Sequence, residues 1–213
     1  MDDRKDIVLI ADPRVLAVPA DDCGEPLVPL AGLHSRVRTS EGVVVRRGVA
    51  ARLVRAVADL PDGLRIFVYE GYRSLATQRE YFDDYVRELE SVHPDWDADA
   101  LMREASKYVA PPDSKPPHST GAAVDLTIES VSGDALDMGT AMNEEPDECG
   151  EACFTEAVNI SQDAVENRRI LIDVLTSAGF INYPTEWWHW SYGDRYWAFV
   201  SGEFVATYDS VDG

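Results

Sequence analysis

Two short stretches of this 213-residue sequence carry side chains able to hold a metal ion and cut a bond. The first is Pro117-His118-Ser119-Thr120-Gly121-Ala122-Ala123-Val124-Asp125-Leu126-Thr127-Ile128, which sets an imidazole and a carboxylate seven positions apart. An odd separation along one strand would send the two side chains to opposite faces. His118 is therefore expected in the loop that follows the prolines, with Gly121 supplying an unusual backbone angle and a strand starting near Ala122. On that strand Ala123, Asp125 and Thr127 share one face, while Val124, Leu126 and Ile128 face the core. A carboxylate buried alone among such residues would lose its hydration or its charge. A divalent cation shared with the imidazole supplies the missing partner.

The second stretch is Tyr183-Pro184-Thr185-Glu186-Trp187-Trp188-His189-Trp190. His189 completes a His, Asp, His set. Three protein ligands with a fourth position open is the arrangement of a catalytic zinc site rather than a structural one. Glu186, at the turn left by Pro184, is placed to reach over the metal without ligating it, where a general base for an attacking water belongs. Alternation along a strand from Trp187 to Tyr192 puts Trp188, Trp190 and Tyr192 in the core and Trp187 on the metal face.

The elements that must bring these stretches together can be read from periodicity. Arg46 to Leu60 repeats apolar residues at a helical period and stops at Pro61-Asp62-Gly63. Leu64 to Tyr69 is a strand that delivers Glu70-Gly71-Tyr72-Arg73. Leu75 to Val92 and Trp96 to Tyr108 read as helices, the latter capped by Asp97, and Ser161 to Ala178 as a helix capped by Ser161 and stopped by Gly179. Pro111 to Pro117, with four prolines, is expected to be a stiff loop that feeds His118 into the site. Short strands are expected at Ile7 to Ile10 and Val15 to Val18. Asp21 to Gly42 reads as a surface excursion, and Ser132-Gly133-Asp134 as a hairpin turn. Phe180-Ile181, Arg195 to Val200 and Phe204 to Tyr208 read as further strands.

The pattern His-x6-Asp followed by Glu-x-x-His resembles that of the zinc D-Ala-D-Ala dipeptidases, the VanX type of peptidase family M15 within the LAS metallopeptidases. Glu70-Gly71-Tyr72-Arg73, Leu136-Asp137-Met138-Gly139-Thr140, Asn167-Arg168-Arg169 and Glu186-Trp187-Trp188-His189 follow in the same order, from about Val44 to Ala198. The resemblance implies an α+β fold, a mainly antiparallel sheet flanked by helices, of the Hedgehog/DD-peptidase kind. It implies one zinc ion on His118, Asp125 and His189, with Glu186 as base. Arg73 then stabilises the transition state with its fixed charge and planar fork; ion pairing to Glu70 is the plainer reading of that arginine. Tyr72 and Trp187 join it at the substrate. Where the family commonly has a substrate-binding serine this chain has Pro116, leaving Ser119 and Thr120 to offer hydroxyls. Where it often has an aspartate for the dipeptide's amino group this chain has Asn143, so Glu144, Glu145 or Asp147 is an alternative carrier of that charge.

Length and the absence of a long linker suggest a single domain over residues 1–213. The formal charge of −20 disfavours nucleic acid as a partner. No apolar stretch has membrane-spanning length, and Met1 to Asp6 does not open a secretory signal, so a cytoplasmic location is expected. Cys23, Cys149 and Cys153 are an odd count and read as free thiols. The expected activity is hydrolysis of D-Ala-D-Ala or a similar small peptide. A carboxypeptidase or endopeptidase acting on longer peptidoglycan peptides, and a zinc-bearing binding module without catalysis, are the alternatives; retention of Glu186 and Arg73 argues against the module.

Overall fold

The computed structural model describes residues 7–144 and 149–211. The chain order is α1 (Pro13–Leu16), β1 (Leu27–Pro29), β2 (Val37–Thr39), β3 (Val44–Arg46), α2 (Arg47–Asp59), β4 (Leu64–Glu70), α3 (Leu75–Val92), α4 (Ala98–Tyr108), β5 (Ala123–Ser130), α5 (Gln162–Ser177), β6 (Ile181–Asn182), β7 (His189–Ser191) and α6 (Arg195–Ser201). Two 3-10 turns, Pro112–Ser114 and Pro117–Thr120, lie in the proline-rich connection.

The main sheet runs β2-β4-β5-β7-β6; β2 is parallel to β4, and every other pair is antiparallel. Strands β1 and β3 make a separate antiparallel pair. The fold is thus α+β, with a mainly antiparallel sheet flanked by helices. One face of the sheet carries Ile66, Val68, Val124, Leu126, Ile128 and Trp190, which pack with Val49, Leu53, Leu171 and Leu175 of α2 and α5 in one core. Each such buried aliphatic side chain contributes roughly 1.5–3 kcal/mol through area removed from water. The opposite face carries Asp125, Thr127 and Glu129, all buried. Glu129 is held there by Arg65 at 2.5 Å and Arg38 at 3.3 Å. That polar face is where the site is built.

Asp97 and Ser161 cap their helices as expected, and Ser74 does the same for α3. Ser74 accepts from the Thr77 amide, Asp97 from Ala100 and Ser161 from Ala164, each satisfying an N-terminal donor that the helix itself cannot.

Several expectations are corrected. Ile7 to Ile10 forms no strand, and Val15 lies in α1, which begins after an Asp12 cap with Pro13 in its first turn. Arg195 to Ser201 is a helix rather than a strand, because Asp194 caps it at the Trp197 amide and Gly202 ends it at φ 74°. Phe204 to Tyr208 contributes only a single bridge between Ala206 and Ala20. The surface excursion contains β2, which extends the main sheet.

Candidate active site

β5 and β7 run antiparallel with Asp125 directly opposite His189, so both side chains emerge on the same polar face. On the other side of β5 the register with β4 slips between Val68 and Glu70, and the slip sets Glu70 opposite Asp125. A bulge of this kind re-aims a strand end toward a site; here it leaves Tyr69 out of register and half exposed.

His118 arrives from outside the sheet, on the 3-10 turn Pro117–Thr120. Gly121 ends that turn at φ 70°, and a Cβ there would come within 2.5 Å of Leu27. The turn is pinned by Arg46, a buried side chain that donates to the Thr120 carbonyl at 2.8 Å while its amide donates to Gly121.

The three side chains converge. His118 Nε2 lies 3.3 Å from His189 Nδ1, His189 Nδ1 lies 3.1 Å from Asp125 Oδ1, and His118 Nε2 lies 3.4 Å from Asp125 Oδ2. The edge of a tetrahedron around zinc, with bonds of about 2.0–2.1 Å, is roughly 3.3–3.4 Å. The donor spacing therefore fits a tetrahedral cation with one position left over. Two imidazole nitrogens facing one another cannot both be lone-pair acceptors without a proton or a cation between them. The outer nitrogen of His118, Nδ1, meets the Gly71 carbonyl at 2.7 Å, which keeps the proton there and turns the Nε2 lone pair inward.

Burial alone would raise the Asp125 carboxyl, but the two imidazoles outweigh it and hold it well below the ordinary carboxylate range. Burial also disfavours charge on His189, and Asp125 reverses that and raises its pKa. Glu186 Oε2 sits 3.8 Å from His189 Nδ1. Burial pushes the Glu186 carboxyl up to about 7, against the opposing pull of His189. That value lies where a group can take and return a proton at neutral pH.

Arg73 lines the same cleft. Its guanidinium grips Glu70 through Nε at 2.8 Å and through Nη2, and donates from Nη1 to Gln78 at 2.9 Å. Gln78, itself buried, donates to the Ala110 carbonyl. The ion pair with Glu70 is thus present, and it orients the arginine; two of its five N–H donors remain beyond these bonds.

A cleft of about 610 Å³ opens over His118, Asp125, Glu186 and His189, walled by Leu9, Ile10, Phe154 and Tyr183. A second cleft, about 580 Å³, also reaches Asp125 and includes Tyr72 and Met142. Asn143, at φ 60°, lines both. Glu144 lines the first and accepts from the Ala141 amide, whereas Glu145 and Asp147 lie outside the described residues.

Three expected substrate contacts are placed elsewhere. The Ser119 hydroxyl donates to the Pro116 carbonyl and meets Ser210; that of Thr120 donates to Pro117 and accepts from the Ala122 amide. Both hydroxyls are consumed inside the turn that carries His118. Trp187 is buried, with its indole N–H on Thr140, and Trp188 lines the cleft instead. The reason is that β7 starts only at His189, so strand alternation does not extend back to the tryptophan pair.

Two further residues brace the site, of which only Arg168 lies in a stretch that the sequence singles out. Asn182 donates to the carbonyls of both Glu186 and His189, bracing the turn between base and ligand. Arg168 donates to the carbonyls of Met138, Ala152 and Phe154, pinning the segment on either side of Asn143. Among the described residues no helix is long and apolar enough to cross a membrane.

Comparison with known proteins supplies the family. A D-alanyl-D-alanine dipeptidase of Synechocystis sp. is 30% identical over 217 residues, covering 86% of this chain and 88% of that protein. The D-alanyl-D-alanine dipeptidase of Escherichia coli K12 is 29% identical over 131 residues, 60% of this chain and 55% of its own length. Among solved structures, a vancomycin-resistance D,D-pentapeptidase, VanY, in complex with Zn(II) aligns over 92% of this chain and 93% of its own at 18% identity, with a TM-score of 0.49. The Peptidase_M15 model, described as D-ala-D-ala dipeptidase, matches residues 35–207, a span that holds Arg73, His118, Asp125, Glu186 and His189, and the chain belongs to that family of hydrolases.

Proposed function

We propose that this protein is a zinc-dependent dipeptidase that hydrolyses D-Ala-D-Ala or a similar D-amino-acid dipeptide. The observation that carries the reading is the meeting of three ligand atoms at tetrahedral spacing with the Glu186 carboxylate 3.8 Å away. His118, Asp125 and His189 hold the zinc, with His118 kept in the right tautomer by Gly71. When bound, the cation lowers the pKa of a water and polarises the peptide carbonyl as a Lewis acid.

Glu186 takes a proton from the attacking water on its carboxylate and passes it to the leaving amine, its burial opposing the neighbouring cation's pull toward the ionised form. Arg73, oriented by Glu70 and Gln78, turns its remaining donors to the developing oxyanion. Asn143 accepts from the dipeptide's ammonium through its carboxamide oxygen, and Tyr72 lines the wall beside it. The family relationship to D-alanyl-D-alanine dipeptidases supports the substrate class.

A second reading, cleavage of longer peptidoglycan peptides, is favoured by one feature. The two clefts meet at Asp125 and together offer more room than a dipeptide fills. The deciding measurement is amino-acid release by zinc-loaded protein from D-Ala-D-Ala, L-Ala-L-Ala and N-acetyl-D-Ala-D-Ala. Release from the free D,D-dipeptide alone is expected. Cleavage of only the acetylated substrate would replace the dipeptidase with a carboxypeptidase, and silence on all three would overturn both.

A further inference from the structure

Among the described residues, four buried side-chain polar atoms lack a hydrogen-bond partner, and three of them are His189 Nε2, Ser191 Oγ and Asp194 Oδ2. Native proteins rarely leave such atoms unpaired, since each costs about 1–3 kcal/mol. Their clustering within six residues calls for a common explanation.

The three belong to one place in the fold. His189 and Ser191 are two apart on β7 and so project from the same face. The chain then turns at Gly193, and Asp194 begins α6. Asp194 spends one oxygen, Oδ1, on the Trp197 amide at 2.7 Å, which leaves Oδ2 spare. All three side chains are fully buried or nearly so. The charges of Asp194 and His189 act on one another, and the Ser191 hydroxyl lies beside the Asp194 carboxylate.

Their polarities are complementary. Nδ1 of His189 faces Asp125 and His118, so as a metal ligand it must carry the lone pair, which puts the ring proton on Nε2. The orphan set is then one donor, one hydroxyl that both donates and accepts, and one carboxylate oxygen that accepts. We infer that Ser191 and Asp194 are positioning residues for the metal centre: His189 Nε2–H is received by the Ser191 hydroxyl, which donates in turn to Asp194 Oδ2, directly or through one buried water. This relay does for His189 what the Gly71 carbonyl does for His118, namely hold the tautomer and the ring plane. The inference rests on the proposed role of His189 as a zinc ligand.

Two variants test it, Ser191→Ala and Asp194→Asn; the second keeps an oxygen for the Trp197 cap. Zinc affinity is measured by chelator competition, and the His189 Nε2–H proton by its exchange with water in 1H–15N NMR of the metal-free protein. Wild type is expected to show a slowly exchanging Nε2–H held by an acceptor. Both variants are expected to bind zinc 10–100-fold more weakly and to lose that protection, with the melting temperature of the metal-free protein close to wild type. Unchanged zinc affinity and unchanged protection in both variants would overturn the relay. If Asp194→Asn fails to fold, Ser191→Ala carries the test alone. Failure of the wild type to bind zinc would remove the site reading instead, and the protection of Nε2–H in the metal-free protein would still decide whether the relay exists.

Discussion

The carbonyl of Gly71 accepts the Nδ1 proton of His118 at 2.7 Å, so a residue at the end of β4 holds a ligand that arrives from a separate turn. Gly71 can do this because it has no side chain: a Cβ would lie 2.5 Å from the Val44 carbonyl oxygen and 2.7 Å from Val45 Cγ1. Neither neighbour can swing aside, one being backbone and the other a buried valine. Gly71→Ala is therefore expected to lose roughly 1–3 kcal/mol of stability and about tenfold in zinc affinity. Urea denaturation and chelator competition read the two effects. Full zinc affinity in a destabilised protein would show that the carbonyl does not orient His118.

Glu186 touches the ligand cluster without belonging to it. Glu186→Gln keeps the shape of the side chain and removes its capacity to take a proton. Zinc content measured on the purified variant is expected to equal that of wild type, while turnover of D-Ala-D-Ala falls about 10²–10⁴-fold. Near-wild-type turnover would remove Glu186 from the role of base.

Arg73 is held by Glu70 and Gln78 in a geometry that only a planar fork can satisfy. Arg73→Lys retains the charge and gives up that fork. Its kcat is expected to fall about 10²-fold, with zinc content unchanged and KM altered far less. A loss confined to KM would make Arg73 a binding residue in place of a transition-state one.

Glu186 also gives the metal-free protein a pH signature. Its carboxyl is raised in the folded state to about 7 from 4.5, so between these values the folded protein holds a proton that the unfolded chain has released. Stability from this group is complete below pH 4.5 and is lost as pH rises to 7, an effect on the order of 3 kcal/mol. His189, also raised, adds a loss only above its ordinary value of 6.5. Melting of metal-free wild type and Glu186→Gln from pH 4.5 to 6.5 is expected to show a decline in wild type that the variant lacks. Zinc should flatten the wild-type slope, since a neighbouring cation favours the carboxylate. Parallel profiles would show that Glu186 ionises without penalty.

Helices α2, α3, α4 and α5 were legible in the sequence because a buried stripe at 3.6-residue spacing is a local property, as are the caps Asp97 of α4 and Ser161 of α5. So was the set His118, Asp125, Glu186 and His189, since residue types at fixed spacing need no partner to be recognised. The short elements were not. Arg195 to Ser201 holds a short apolar run rich in aromatic residues, Tyr196 to Val200, that passes for a strand, and the Asp194 side chain turning back to the Trp197 amide starts a helix there instead. Hydroxyls and indoles were misplaced for a related reason. Ser119 and Thr120 satisfy their hydroxyls on carbonyls of their own turn, which depends on backbone angles that spacing does not encode, and Trp187 reaches Thr140 across the fold.

What the sequence determined by itself, then, was which atoms could bind a cation and move a proton, because that is chemistry carried by each side chain. The tertiary structure alone decided their relations. The register that sets Glu70 opposite Asp125, the carbonyl of Gly71 at His118 and the wall of Leu9 and Ile10 over the ligands all join residues far apart in the chain. Contacts of that kind exist only after the sheet has paired and the core has closed, since an unfolded chain holds no such residues together against its own entropy.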